Sequence, residues 1–388
     1  MQRIYLDHNA TTPLSIGVLD QMTQALARDW GNPSSVHHFG QQAKAAVDVA
    51  RAAVAQLIGA EPTEVVFTSG GTESDNLAIR GVAEALAPSG RRHLIASSIE
   101  HEAVLNTVKV LARRGWDVTL LPVDQTGIVD PEVLREALTD QTALVSVMHA
   151  NNEIGTVQPV AHLARLAHER GALFHTDAVQ SAAKLPVDVR ALGVDLLSIS
   201  GHKFYGPKGV GAIWIRRALR LVPQMIGGKH ERSRRAGTEN VPGIIGMGAA
   251  AGEAIVSMAE ESARLAALRD HLEQAILAAV PGTLVNGARE PRVPNTTNIS
   301  FDRIEAESLL IALDLEGFAV STGSACSSGT LEPSHVLKAM GLPVHRTQNS
   351  IRFSLGKANS DADVARLVAV LPSVVDKLRS LSRTPARV

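Results

Sequence analysis

The sequence holds one cysteine among 388 residues. A lone cysteine excludes an internal disulfide and any thiolate metal site built by this chain alone, and a cytoplasmic setting is the expectation. Excess charge of either sign is also lacking: 38 Lys and Arg residues stand against 39 Asp and Glu residues, a formal net charge of -1. The basic residues are scattered rather than gathered into a stripe, which argues against nucleic acid as the main partner. The start lacks a basic segment leading into an apolar one, so no signal peptide is expected, and no apolar run reads as a bilayer span. Internal repeats and low-complexity segments are absent. Small molecules and other proteins remain as the expected partners.

What is present is ordinary globular composition, 45% hydrophobic and 20% charged, at a length that favours two domains. Residues 39–58 carry an apolar face (Ala43, Ala46, Val47, Ala50, Val54, Leu57) and stop at Gly59, which reads as a helix. From residue 65 short apolar runs at 65–67, 94–96, 143–147, 172–174 and 196–199 alternate with helical stretches. Such alternation predicts an α/β fold with a mostly parallel sheet flanked by helices, its site at the carboxyl ends of the strands. Beyond Val241 an Ala-rich helical region runs to Pro281-Gly282, followed by a smaller α+β domain. The expected division is 15–260 for the large domain, and 1–14 plus 261–388 for the small one.

Three strand ends carry chemistry. After 65–67 comes Thr68-Ser69-Gly70-Gly71-Thr72-Glu73, where glycines at a helix mouth expose N–H groups to a phosphate; the bland alternative is a Thr-capped turn. After 172–174 comes His175-Thr176-Asp177-Ala178-Val179-Gln180. A buried Asp177 needs a partner such as a protonated pyridine nitrogen, or else caps a helix or joins a structural ion pair. After 195–199 comes Ser200-Gly201-His202-Lys203. A partly desolvated Lys203 can form a Schiff base with an aldehyde; otherwise it is a surface charge. An aldehyde bearing a phosphate and a pyridine nitrogen is pyridoxal 5'-phosphate, which explains all three features together.

Two further residues stand apart. Cys326 lies in Ser321-Thr322-Gly323-Ser324-Ala325-Cys326-Ser327-Ser328-Gly329, a stretch without large apolar residues that reads as an exposed loop with an available thiol rather than a buried one. Arg352, inside a short strand pattern, either grips a substrate carboxylate or faces solvent.

Together with Tyr5-Leu6-Asp7-His8-Asn9-Ala10-Thr11-Thr12-Pro13, Glu100-His101, Asn151-Asn152-Glu153-Ile154-Gly155, Arg235-Ala236-Gly237-Thr238 and Ser350-Ile351-Arg352-Phe353-Ser354-Leu355-Gly356, these motifs resemble the cysteine desulfurases. Within the fold-type I pyridoxal phosphate enzymes they resemble the long-loop branch serving iron–sulfur cluster assembly or nitrogenase maturation. The resemblance implies a seven-stranded large-domain sheet and the conversion of L-cysteine to L-alanine, with sulfur held as a persulfide on Cys326 and passed to an acceptor protein such as an iron–sulfur scaffold.

The same resemblance assigns roles. Lys203 carries the cofactor and acts as base, His101 stacks on its ring, Asp177 pairs with the ring nitrogen and Gln180 bonds the phenolic oxygen. Gly71, Thr72, Ser200 and His202 hold the phosphate, and Thr238 reaches the neighbouring subunit's phosphate in a homodimer. Asn152 and Arg352 bind the substrate carboxylate. One departure is His230 and Ser233, where the family commonly has Gln and Gly. A selenocysteine lyase, an aminotransferase and a non-catalytic assembly protein are the alternatives on the same scaffold.

Overall fold

After a two-residue strand β1 (Ile4–Tyr5), the chain lays down β2 (Val65–Thr68), β3 (His93–Ser97), β4 (Asp117–Leu121), β5 (Thr142–Ser146), β6 (Leu173–Asp177), β7 (Leu196–Ser200) and β8 (Gly211–Ile215). The computed structural model describes residues 3–323 and 333–382. Strands β2 to β8 form one seven-stranded sheet in the order β2-β8-β7-β6-β5-β3-β4. Its pairs are parallel except where β8 runs antiparallel to β2 and β7. Every residue of β2, β3, β5, β7 and β8 is buried, as expected of strands covered on both faces. The expected α/β architecture is therefore present: the apolar runs read from the sequence are the edge strand β2 and the inner strands β3, β5, β6 and β7. Strands β4 and β8 were not read: β4 is an edge strand with one buried residue, so it lacks a continuous apolar run.

The helix His38–Leu57 buries Ala43, Val47, Ala50 and Val54, the face its spacing predicts. It lies against the 39-residue helix Val241–Ala279. A Cβ on Gly248 would sit 2.5 Å from Ala50 Cα, so glycine at 248 is what lets these two helices approach.

The long helix serves two cores. Its first half, Val241 to Ala254, packs into the core beneath the large sheet; Leu265, Leu268, Leu272 and Ile276 pack into a second core. At about 1.5 Å per residue it bridges both. It also corrects the sequence reading of bilayer spans: by length and composition it is apolar enough to cross a membrane, with a mean hydropathy of 1.4 in its most apolar stretch. Half of that stretch is buried inside the protein, as in a core helix.

The second core is closed by β9 (Thr283–Asn286), β10 (Thr296–Phe301), β11 (Phe318–Ala319) and β12 (Ser350–Ser354), with the helices Ala306–Leu315 and Asp361–Ser382. Strands β12-β10-β9 form an antiparallel sheet, and β1 pairs with β11. Ile4 and Leu6 belong to this core. The N-terminal segment therefore starts in the second core and, from Asp7 onward, passes over the end of β12 toward the large sheet.

Candidate active site

The loops after β2, β6 and β7 meet. A Cβ on Gly71 would lie 2.9 Å from Val179 Cγ2, and one on Gly70 would lie 3.9 Å from Ser200 Oγ. The glycines are thus where the turn after Asp177 and the end of β7 press on the mouth of the helix Gly71–Leu86. The first N–H groups of such a helix have no partner within it, and the helix dipole favours an anion there. Gly71, Thr72 and Ser200 share this corner; Thr72 is exposed and Ser200 buried.

Lys203 is half-buried and donates from Nζ to the backbone oxygens of Asn9 (2.6 Å) and Ala10 (3.0 Å). Its loop is stitched to the N-terminal segment. Thr12 N and Oγ1 donate to His202 O at 2.9 and 3.0 Å. Thr12 Oγ1 accepts from Tyr205 N at 2.7 Å, and His202 Nδ1 lies 3.1 Å from Thr11 Oγ1. Burial and the charges of Lys203 and Lys208 push His202 down to about 4, so its ring is neutral. The Asn9-Ala10-Thr11-Thr12 motif is the clasp on the lysine loop.

Asp177 is 6% exposed and accepts Val179 N at 2.8 Å. Burial raises its carboxyl above the usual carboxylate range, and the Val179 N–H bond and the charge of Lys203 offset only part of that rise; a cation seated beside it would favour its charged form. His101 caps the helix Glu102–Ala112, its Nδ1 accepting Ala103 N at 3.1 Å. An accepting Nδ1 leaves the proton on Nε2.

Beneath Asp177 lies a polar layer the sequence reading missed. His175 bonds Ser146 Oγ (2.8 Å) and Ser198 Oγ (3.0 Å), with Asp75 3.6 Å away. Burial, then Asp177, pushes Asp75 well up. Glu100 accepts from Ser97 Oγ and Met148 N through Oε1, and its buried Oε2 has no partner among the described residues. Burial pushes Glu100 up to about 8.

A carboxyl that is neutral when folded and charged when unfolded makes the folded state bind more protons, so stability falls as pH rises from about 4.5 to about 8. Glu100→Gln removes that loss. The variant is expected to match the parent near pH 5 and to exceed it at pH 8 by on the order of a few kcal/mol. Denaturant melts at the two pH values check this; parallel profiles would contradict it.

Arg352 faces inward. It is 2% exposed, with Nη2 on Asp7 Oδ1 (2.6 Å) and Nη1 on the backbone oxygen of Asn152 (3.0 Å). Its buried Nε has no partner among the described residues. The solvent-facing alternative is thereby excluded, and Asn152 is beside it as expected. The Asn152 oxygen also accepts Asn9 Nδ2 at 3.0 Å, which ties Arg352 to the Lys203 clasp. Gln180 is buried, its amide shared between Asn9 O (2.9 Å) and Lys184 Nζ (2.9 Å). Neither Lys184 nor Asn9 was singled out from the sequence. For Lys184 the signal was a lysine one turn after Gln180 among alanines.

Thr238 is elsewhere. It is exposed, beside Trp30 and Pro33, and no hydrogen bond joins it to the other candidates among the described residues. The segment before it is held by Glu231, which pairs with Arg51 (2.7 Å) and accepts Phe67 N (3.0 Å). Glu231, Arg232 and Ser233 all take left-handed φ values of 46°, 57° and 64°. The departure at Ser233 thus puts a side chain where glycine is favoured, at about 1 kcal/mol. Cys326 lies outside the described residues.

A phosphate-sized anion at the helix mouth, a basic ring nitrogen at Asp177 and an aldehyde within reach of Lys203 all suit one cofactor. That fit places the chain among the fold-type I pyridoxal phosphate enzymes. Comparison with known proteins narrows this. The sequence matches the aminotransferase class-V family over residues 4–367. It is 50% identical to a cysteine desulfurase IscS of Dictyoglomus turgidum, over 98% of this chain and 96% of that one. A cysteine desulfurase of a Nostoc species is 49% identical, over 98% and 95% of the two chains. A solved NifS-like protein superposes with a TM-score of 0.91 at 37% identity, covering 97% of this chain and all of the other. The chain belongs to the aminotransferase class-V family and, within it, to the cysteine desulfurases, whose cofactor is pyridoxal 5'-phosphate.

Proposed function

We propose that this chain takes sulfur from L-cysteine, releases L-alanine, and holds the sulfur as a persulfide on Cys326 for delivery to an acceptor protein in iron–sulfur cluster assembly. The observation that carries the reading is the juxtaposition of Lys203 with Asp177 and of both with a buried, inward-facing Arg352 through Asn9 and Asn152. Relatives 48–50% identical bear the name cysteine desulfurase, and a solved relative 36% identical is SspA in complex with cysteine.

Gly71, Thr72, Ser200 and His202 would hold the cofactor's phosphate, Asp177 its ring nitrogen, Gln180 its phenolic oxygen and Lys203 its aldehyde carbon, with His101 over the ring. When bound, the cofactor supplies a sink for the electrons left at the substrate Cα when its proton departs. Arg352 and Asn152 orient the substrate carboxylate, the Nε of Arg352, without a partner among the described residues, offering it a charge-assisted bond. Lys203 Nζ, cradled by two backbone oxygens, takes the Cα proton. His101, with its proton on Nε2, serves as a donor. The Cys326 thiolate forms a bond to the substrate sulfur as the Cβ–S bond breaks. The carbon keeps that bond's electron pair and takes a proton, so it is reduced, while the two sulfurs are oxidised to a persulfide.

Thr238, on the surface and apart from the other site residues, suits a role at the partner subunit's phosphate in a homodimer. The single cysteine fits a cytoplasmic setting. Borohydride reduction of the purified protein followed by peptide mass mapping tests the site. The reduced cofactor is expected on Lys203; its appearance on another lysine would overturn the assignment.

A further inference from the structure

Lys184 is a buried amine that none of these steps uses, only 9% exposed. A tight turn in which Ala183 takes a left-handed φ of 63° brings it back beneath Gln180. Its Nζ donates to Gln180 Oε1 at 2.9 Å and to Asn9 Oδ1 at 3.2 Å. A lysine amine supplies N–H groups, whereas an amide presents an oxygen on one side and an NH2 on the other. With both oxygens turned to Lys184, the two NH2 groups must point away. That of Gln180 meets the Asn9 backbone oxygen at 2.9 Å. That of Asn9 meets Asn152 O at 3.0 Å and Thr296 Oγ1 at 2.8 Å. The same Asn9 backbone oxygen receives Lys203 Nζ at 2.6 Å. A flipped Gln180 would set its amide oxygen against this carbonyl, and the carbonyl would swing away from Lys203.

We propose that Lys184 is a positioning residue: by fixing the side-chain amides of Gln180 and Asn9, it holds the Asn9 carbonyl where that carbonyl receives the amine of Lys203. The inference rests on Lys203 being the lysine that binds the cofactor. Taking a lysine out of water is costly. Burial pushes Lys184 down to about 7, and the charges of Lys203 and Arg352 act in the same direction. Protonated or not, its nitrogen has enough N–H groups for both amide oxygens, so the orientation survives loss of the charge. Asn295 Nδ2 also donates to Asn9 Oδ1, at 3.1 Å; Gln180 has no such second support among the described residues, so it is the amide most dependent on Lys184.

The test strips the full-length holoenzyme of cofactor and follows its reloading with pyridoxal 5'-phosphate by absorbance. Lys184→Met is expected to slow reloading about tenfold, less than the roughly 10²-fold that a full 1 Å misplacement of a reacting group can cost. With the reloaded protein, kcat is expected to fall by a similar factor while KM for L-cysteine stays within about twofold. In a Gln180→Met background the same change should alter reloading by less than about twofold, because the link it breaks is already gone. Lys184→Leu removes the same donor with a smaller side chain and gives the comparison should the methionine variant fail to fold. Wild-type reloading rates in both Lys184 variants, or the same tenfold loss in both backgrounds, would overturn the proposal. Borohydride mapping of the parent protein separates the two readings. Label on a lysine other than Lys203 sinks the site assignment; label on Lys203 with silent Lys184 variants sinks only this inference.

Discussion

Replacing Cys326 by serine is expected to cut L-alanine release from L-cysteine by about 10³-fold or more, with the cofactor still bound. The sulfur to be removed has to be taken by a soft, polarisable nucleophile, and this chain owns one thiol. A serine hydroxyl at neutral pH is neither ionised nor drawn to a thiol sulfur. The Lys203 clasp, Asp177 and the helix mouth at Gly71 are untouched by the change, so the protein stays yellow and still responds spectrally to L-cysteine. Assaying alanine and sulfide on matched amounts of holoenzyme checks it. Undiminished alanine production would mean that sulfur leaves without help from Cys326, as in a lyase. Spectral change with neither product would direct attention to transamination, which needs a 2-oxo acid.

Arg352→Met is expected to lower kcat/KM for L-cysteine by roughly 10²- to 10³-fold, chiefly through KM, the usual scale for losing a charge-assisted carboxylate contact in a buried site. The same substitution takes the cation from Asp7, which it meets at 2.6 Å, and one of two donors from the Asn152 oxygen. A stability loss of about 1–3 kcal/mol should accompany the kinetic one. Arg352→Lys keeps the charge but not the fork. It is expected to restore most of the stability and little of the affinity. Steady-state kinetics and thermal melts on the two variants check both; an unchanged KM in Arg352→Met would remove the carboxylate role. The contrast matters because a purely structural Arg352 would lose stability in the same variant without a specific change in KM.

The strand-end residues were legible because inner parallel strands are continuous apolar runs, and a polar residue closing such a run is conspicuous. Asp177 closes β6, and Lys203 stands three residues after β7. What lies around them was not legible. All five residues of β12 are buried, so an in-and-out alternation could not say which way Arg352 points; its partner Asp7 is 345 positions away. The layer of Asp75, His175 and Glu100 was hidden for a related reason. Each sits in or beside a stretch that looks like ordinary helix or strand, and only tertiary packing buries it under Asp177. The N-terminal motif was recognised by resemblance alone. Its physical sense, a clasp from Asn9 to Thr12 on the lysine loop, depends on contacts spanning nearly two hundred residues. The departure at Ser233 was visible, but its consequence needed the left-handed backbone at that position.

The most direct test of the account is a single turnover without reductant. Holoenzyme is mixed with a limiting amount of L-cysteine, alanine is quantified, and the chain is cleaved for mass analysis. One L-alanine is expected for each L-cysteine consumed and, in matching amount, a Cys326 peptide heavier by one sulfur atom. Alanine formed while the Cys326 peptide keeps its original mass, with the sulfur free in solution from the first turnover, would contradict it.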